Sequence, residues 1–316
     1  MYIGIDLGGT NIAAGIVDKN YKIVRKSSVP TLPNRDPKEI IKDMADLCDK
    51  LIKDEGLTFD DIEYAGIATP GTANYKTGVV EYANNLPFKQ FPIADILMSF
   101  IPLKKVLIEN DANAAAKAEA IAGVARGTSN SVMITLGTGV GGGIIIDNKV
   151  YSGFNCAGGE LGHMVIVYNG RQCSCGRKGC WEAYSSATAL IKMTKEKMEV
   201  NKDTLMWAMC DNSLSNVGGK TSFAAMKKGD KAGAEVVDMY IEYLACGLIN
   251  IINIFQPEVL SIGGGICNEG DYLMKPLMKI VMGGGYGGVT GIKATQVKIA
   301  ELGNDAGIIG ASVLGL

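Results

Sequence analysis

Apolar positions fall into short β-type runs that alternate with stretches of helical spacing. From Pro37 to Lys53, the residues Ile40, Ile41, Met44, Leu47, Cys48 and Leu51 make an apolar stripe on one helix face. Tyr64 to Ala68 predicts a short strand ending at the turn Thr69-Pro70-Gly71, and Val106 to Glu109 predicts another. The second is followed at once by Asn110-Asp111 and an alanine-rich helix over Ala112 to Ala122. Further helices are expected over Ser185 to Val200 and Ala232 to Phe255, with a last one over Asn304 to Leu314. Val259 to Ile262 predicts a buried strand leading into Gly263-Gly264-Gly265, and the charged stretch from Lys192 to Asp203 a solvated helix face. Strands alternating with helices indicate α/β layering.

Two segments share one plan. YIGIDLGGTNIAAGIVD, from Tyr2 to Asp18, is a β-rich run, a glycine turn and a second β-rich run; SVMITLGTGVGGGIIID, from Ser131 to Asp147, repeats it. Each predicts a β-hairpin whose tip is too rich in glycine for an ordinary two-residue turn. Glycine there lets backbone N–H groups converge on an anion, and threonine hydroxyls add donors. Two loosely turned hairpins would give the same pattern, but two such tips heading two similar halves favour phosphate binding. Asp6 alternates with Ile3 and Ile5 in an otherwise apolar strand. A carboxylate in that position is costly without a partner. A hydrated Mg2+ carried by a nucleotide would supply one; capping of the turn is the plainer alternative.

With 316 residues, 47% of them hydrophobic, the chain can bury a large core and is expected to form two domains. Lys+Arg 31 against Asp+Glu 33 leaves no field that argues for nucleic acid or an anionic membrane. No basic, apolar leader opens the sequence and no uninterrupted apolar run is long enough to span a bilayer, so a cytoplasmic protein is expected. Cys48, Cys156, Cys210, Cys246 and Cys267 are scattered among apolar neighbours and read as reduced core residues.

The segment from Gly158 to Glu182 concentrates chemistry. It holds the chain's one histidine, His163, and the spacing C-x-C-x4-C at Cys173, Cys175 and Cys180. Together these make a full set of four ligands for tetrahedral zinc, flanked by Glu160 and Glu182. Four protein ligands leave no open position for water, so the metal's role is structural. Asp111 stands where a strand ends and a helix begins, and there the helix dipole favours an ionised carboxylate. An ordinary N-cap fits that position; so does a general base that accepts a hydroxyl proton during phosphoryl transfer.

The set DLGGTN, ENDANAAAKAE, TLGTGVGGGI, GELGHM, CSCGRKGCWEAYSSATAL and SIGGGI, in this order, resembles the ROK family of sugar kinases and repressors over the whole chain, from Ile3 to the closing GNDAGIIGAS. The resemblance implies an α/β, actin-like (ribonuclease H-like) two-domain sugar kinase fold with an interdomain cleft. The smaller domain would comprise 1–115 plus 304–316, and the larger, with the zinc loop, 116–303. It implies that Asp6, Gly8, Gly9, Thr10 and Asn11 form the first ATP phosphate loop and Gly137, Thr138 and Gly139 the second. Gly263, Gly264 and Gly265 would lie beneath the adenosine. Asp111 matches the catalytic base. Gly71, Asn85, Asn110, Asp111, Glu160, His163 and Glu182 would contact the hexose, and His163, Cys173, Cys175 and Cys180 the structural Zn2+. Mg2+ would accompany ATP, and a homodimer is implied.

The expected reaction is phosphorylation of the C6 hydroxyl of a hexose, with glucose first because WEAYSSATAL resembles the family's glucokinases. An N-acetylhexosamine kinase is the nearest alternative, since the GExGHM pattern is shared, followed by a fructokinase or allokinase. A sugar-responsive DNA-binding regulator would carry a helix-turn-helix ahead of the kinase-like part, yet Met1 lies two residues before the first core strand. Two departures stand out: Asn11 follows GGT where Lys is common, and Phe88 stands where many relatives have Trp, which loosens the match around Asn84-Asn85.

Overall fold

The structure, a computed structural model, describes residues 1–284 and 293–316. It divides into two compact units, one comprising Met1–Met133, Gly143–Gly159 and Ala300–Leu316, the other Ile134–Gly142 and Glu160–Ile299. The expected division between 115 and 116 falls inside the helix Asp111–Ile121, and that helix stays whole in the first unit. Cutting there would open a continuous hydrogen-bonded helix, which is why the boundary moves.

In the first unit, β1 (Tyr2–Leu7), β2 (Asn11–Val17) and β3 (Ile23–Pro30) form an antiparallel meander. Helix α1 (Pro37–Asp54) follows, entered through Asp36, whose carboxylate accepts from Lys38 N, and Pro37 in the first turn. β4 (Tyr64–Thr69) then joins parallel to β1. A small antiparallel sheet of β5 (Thr72–Asn74), β6 (Val79–Tyr82) and β7 (Lys89–Phe91) precedes α2 (Ile93–Phe100). β8 (Val106–Asn110) adds parallel to β4 and runs directly into α3 (Asp111–Ile121). The main sheet has the order β3-β2-β1-β4-β8. Ile40, Ile41, Met44, Leu47, Cys48 and Leu51 of α1 bury against Ile3, Ile5 and Ile67 as the stripe requires.

A second five-stranded sheet has the order β11-β10-β9-β12-β13. Its strands are β9 (Ser131–Leu136), β10 (Val140–Ile146), β11 (Lys149–Val150), β12 (Val259–Gly263) and β13 (Gln296–Ile299). Most helices of the second unit come in sequence between β11 and β12: α4 (Glu182–Ser185), α5 (Ala187–Val200), α6 (Met206–Met209), α7 (Thr221–Lys227) and α8 (Lys231–Phe255). The single helix expected from Ser185 to Val200 is thus split, because Ser186 is extended and its hydroxyl accepts from Ala189 N as the N-cap of α5. α9 (Asp271–Gly284) follows β12, and the chain returns through α10 (Ala306–Ser312).

Although Glu235, Asp238 and Glu242 interrupt its apolar run, α8 is long and apolar enough on length and composition to cross a membrane. Half of that stretch is buried, with Val237, Tyr240, Ile241, Leu244, Leu248 and Ile251 inside, as suits a core helix. None of the cysteines among the described residues forms a disulfide.

α10 packs on β1, β4 and α3 at backbone distance. Gly4 and Gly66 are register partners on adjacent strands. A Cβ on Gly4 would sit 1.9 Å from Ile308 O, and one on Gly66 1.9 Å from Ala311 O. A Cβ on Gly310 would meet Ala114 O of α3 at 2.0 Å. Only hydrogen fits at these three places. Gly66→Ala is therefore expected to lower stability by roughly 2–4 kcal/mol. Gly218→Ala, where the added carbon meets nothing within 4 Å, should stay within about 0.5 kcal/mol of native. Urea denaturation of both variants checks this; equal midpoints would mean that α10 yields without cost.

Candidate active site

The parallel register of the first unit brings three strand ends together. Asp6 of β1 lies beside Ala68 of β4, and Thr69 beside Asn110 of β8. Carboxyl ends of parallel strands are the usual ligand position in α/β sheets. At the tip of β1–β2, Gly8 N donates to Asn11 O at 2.9 Å, closing the first glycine turn. Thr31, fully buried at the end of β3, holds this turn from behind. Its hydroxyl donates to Gly8 O at 2.6 Å and its N–H to Thr10 O at 2.9 Å. Sequence reasoning missed Thr31, since nothing local marks which strand-end threonine meets a turn twenty residues earlier. Asn85 lies on the other side: a Cβ on Gly9 would come within 2.9 Å of its Nδ2. Phe88, buried and stacked on Phe91 at 4.8 Å, closes the loop that carries Asn84 and Asn85. The ring that replaces Trp thus still anchors it.

Asn110 caps α3. Its Oδ1 accepts from Ala112 N at 2.9 Å and Asn113 N at 3.2 Å, while its Nδ2 donates to Gly71 O at 3.0 Å. Gly71 has φ +86°, and a Cβ there would strike Tyr82 O at 2.1 Å. Capping therefore falls to Asn110, not to Asp111, whose Oδ1 accepts from Ala112 N at 2.8 Å in the first helical turn. Behind both stands Glu109, a buried carboxylate that sequence reasoning also passed over. It accepts from Asn110 N at 2.9 Å and from Asn113 Nδ2 at 3.1 Å. Burial raises its pKa, the hydrogen bonds from Asn110 and Asn113 and the Lys117 charge opposing.

Burial, and then the negative charge of Asp111, pushes Asp6 up to about 6. Gly307 of α10 is packed onto it so closely that a Cβ would lie 2.4 Å from Oδ2. Two carboxylates that repel, one of them largely buried, form a donor set suited to a hydrated divalent cation.

In the second unit, Gly137, Thr138 and Gly139 make the tip between β9 and β10. Ala187 N donates to Gly137 O at 2.9 Å and Thr188 Oγ1 to Thr138 O at 2.8 Å, so the start of α5 braces this turn. Gly264, at φ +108°, abuts the end of β9: a Cβ there would meet Leu136 O at 2.2 Å. The run Gly263-Gly264-Gly265 therefore stands next to the strand end that leads into the second turn. At Gly137 and at Gly265 an added carbon would meet nothing within 4 Å.

His163, Cys173, Cys175 and Cys180 come together with their ligand atoms all within 4.8 Å of one another. Cys175 Sγ and Cys180 Sγ are 3.6 Å apart, and Cys173 Sγ lies 3.7 Å from His163 Nδ1. A tetrahedral zinc with ordinary Zn–S and Zn–N bonds has edges of about 3.6–3.8 Å. The donor set fits the metal. Glu160 precedes the turn Leu161–His163, its carbonyl accepting from His163 N at 3.0 Å, and its side chain is exposed.

Glu182, expected beside a sugar, is engaged at both ends. Oε2 accepts from Val140 N at 3.0 Å and Oε1 from Ser174 Oγ at 3.1 Å. Trp181, also missed, is fully buried; its Nε1 donates to Tyr243 O at 3.0 Å, and a Cβ on Gly247 would lie 2.0 Å from the ring. It pins Cys180 and Glu182 to α8.

Glycine hairpins at the strand ends, a strand running straight into the helix that Asp111 opens, and α10 returning to the first sheet define an α/β protein of the actin-like class. The chain belongs to the ROK family, matching it over residues 2–316. It is 34% identical to a glucokinase of Thermotoga maritima over 98% of this chain and 95% of that one. With an N-acetyl-D-glucosamine kinase of Haemophilus influenzae it shares 28% identity over 99% of each chain. Among solved structures, a ROK family glucokinase from Streptomyces griseus in complex with glucose and AMPPNP superposes with a TM-score of 0.82 at 32% identity, covering 99% of this chain and 98% of that one.

Ionising Asp6 costs folding free energy, because its pKa in the folded chain, about 6, exceeds that of an unfolded aspartate. Its penalty is absent below about pH 4 and complete above about pH 6, with an upper bound of roughly 3 kcal/mol. Without divalent cations, Asp6→Asn should therefore raise Tm at pH 7.5 and lose that advantage as pH falls toward 4. A melting series across that range checks the sign; a gain that is equal at both ends would show that carboxylate charge is not the cause.

Proposed function

We propose that this protein is an ATP-dependent sugar kinase that phosphorylates the C6 hydroxyl of glucose. The observation that carries the reading is the end of β8, where the Asn110 cap leaves Asp111 in the first turn of α3, near enough to a second carboxylate, Asp6, for its charge to help raise the pKa of Asp6. It is joined by the likeness to glucokinases along nearly the whole chain. Asp111 is the base that accepts the C6 hydroxyl proton as the oxygen attacks the γ-phosphorus, and it also orients that oxygen.

Gly71, Asn85, Asn110, Glu160, His163 and Glu182 are the remaining sugar ligands of this reading. Asn110 still has a second amide hydrogen beyond the one given to Gly71 O, and a carboxylate such as Glu182 accepts more than two hydrogen bonds. With Nδ1 of His163 turned to Cys173, Nε2 on the far side of the ring is the atom for a hydroxyl. Asp6, Gly8, Gly9, Thr10 and Asn11 are assigned to one part of ATP, Gly137, Thr138, Gly139 and Gly263–Gly265 to another.

Asp6 would hold the hydration shell of Mg2+, which supplies charge neutralisation on the phosphates. His163, Cys173, Cys175 and Cys180 would hold Zn2+, which supplies cross-linking of the loop and no open coordination site. The family resemblance further carries a homodimer acting in the cytoplasm. An N-acetylhexosamine kinase is the second reading, favoured by the likeness to the Haemophilus influenzae enzyme.

Asp111→Asn is expected to lower kcat by orders of magnitude while sugar affinity stays near native. ADP release with Mg-ATP across glucose, mannose, N-acetylglucosamine, N-acetylmannosamine, fructose and allose measures both this and the specificity. A kcat/KM highest for an N-acetylated sugar would replace glucose, and near-native turnover of Asp111→Asn would remove it from the role of base.

A further inference from the structure

The four-ligand cluster and the second glycine turn meet at one side chain. Ser174 sits between two of the cluster's cysteines and is exposed, with its hydroxyl donating to Glu182 Oε1 at 3.1 Å. Cys173 Sγ lies 3.7 Å from the same oxygen, so this end of the carboxylate borders the ligand set. The other oxygen accepts from Val140 N at 3.0 Å and fills the space that a Cβ on Gly139 would need, 2.2 Å away. Glu182 thus spans from the metal loop to the amide that closes the turn, on a backbone fixed by buried Trp181.

The turn has a second, separate brace in α5, through Ala187 N and Thr188 Oγ1. Ser174 lies in a stretch whose cysteines face one another, and without a metal nothing covalent fixes it there. Losing Ser174 would free one end of Glu182, and the turn would lose definition on that side only.

We propose that Glu182 is a positioning residue that couples the His163, Cys173, Cys175 and Cys180 cluster to the second glycine turn, so that metal occupancy of the cluster sets the affinity of the turn for nucleotide. This rests on the reading of that turn as part of the ATP site. The metal would act on nucleotide binding without touching nucleotide, through a hydroxyl and a carboxylate.

The test uses the full chain, metal-loaded and chelator-stripped, as native protein and as Ser174→Ala, with bound metal measured by elemental mass spectrometry. Affinity for Mg-AMPPNP is read by calorimetry, and backbone hydrogen exchange is read at Val140 and Ala187. Ser174→Ala keeps its four ligands and should retain metal. It should bind AMPPNP about fivefold more weakly, the usual worth of one hydrogen bond. Stripping the native protein should weaken binding at least as much, and stripping Ser174→Ala should add less than about twofold, because the two changes cut the same link. Val140 should exchange faster in both cases while Ala187 does not. Thr188→Val, which loosens the α5 brace, should weaken binding by the same factor with and without metal.

Additive losses from stripping and from Ser174→Ala would overturn the coupling, as would Val140 protection that survives stripping. Native, metal-loaded protein that binds no AMPPNP would defeat the nucleotide assignment instead. The exchange of Val140 would then decide the link to the metal loop by itself.

Discussion

Two carboxylates are brought close enough to repel, and the parallel register of β1, β4 and β8 fixes the backbone that carries them. Asp6 ends one strand, Asp111 opens the helix that continues another, and β4 between them fixes the spacing. Burial, to which the close approach of Gly307 of α10 contributes, is the larger cause of the raised Asp6 pKa, and the repulsion from Asp111 adds to it. Folding alone would favour an amide at Asp6. The fold keeps the charges, and under the proposed function a divalent cation with its polyphosphate would turn such a pair from cost to use. Much of the first unit follows from holding that pair: Glu109 behind the helix start, Asn110 as its cap, and glycines where α10 approaches.

In the second unit the constraint is of another kind. No Lys or Arg occurs in Gly137–Val140 or in Asp6–Asn11. A phosphate at either turn would be met by backbone N–H groups, hydroxyls and the cation, all of which act only when correctly aimed. Aim has to come from outside the turn, since glycine supplies no stiffness of its own. Thr31 gives it to the first turn; α5 and Glu182 give it to the second. A metal cluster with no open coordination position can therefore matter to chemistry it never touches, by fixing the loop from which one of these braces is held.

The parts that were legible in the sequence are those written in adjacent residues. The hairpin tips, the β8–α3 junction, the apolar stripe of α1 and the C-x-C-x4-C spacing each lie within twenty residues and stand in the structure where periodicity and turn chemistry put them. What escaped lies between distant segments. Thr31 and Trp181 look like an unremarkable strand end and a core aromatic until their partners at Gly8 and Gly247 are known. Helices α2, α7 and α9 were not anticipated, being short or, in α9, interrupted by Pro276, so that no long stripe announces them. The split at Ser186 was hidden because serine is equally at home in a helix and as its cap.

Glycine makes the same point more sharply. Gly4, Gly66 and Gly310 are filled on the side a Cβ would occupy, and Gly137 and Gly265 face open space. The sequence marks the second group as glycine-rich turns, but nothing in it marks the first, whose members lie singly among apolar residues. By physics they are opposites: at the first, backbone reaches backbone; at the second, the backbone faces no other part of the described chain. Gly139 belongs to neither, because the space at its Cβ is taken by Glu182. Its missing side chain makes room for the protein's own carboxylate, so the second turn is braced from inside the chain.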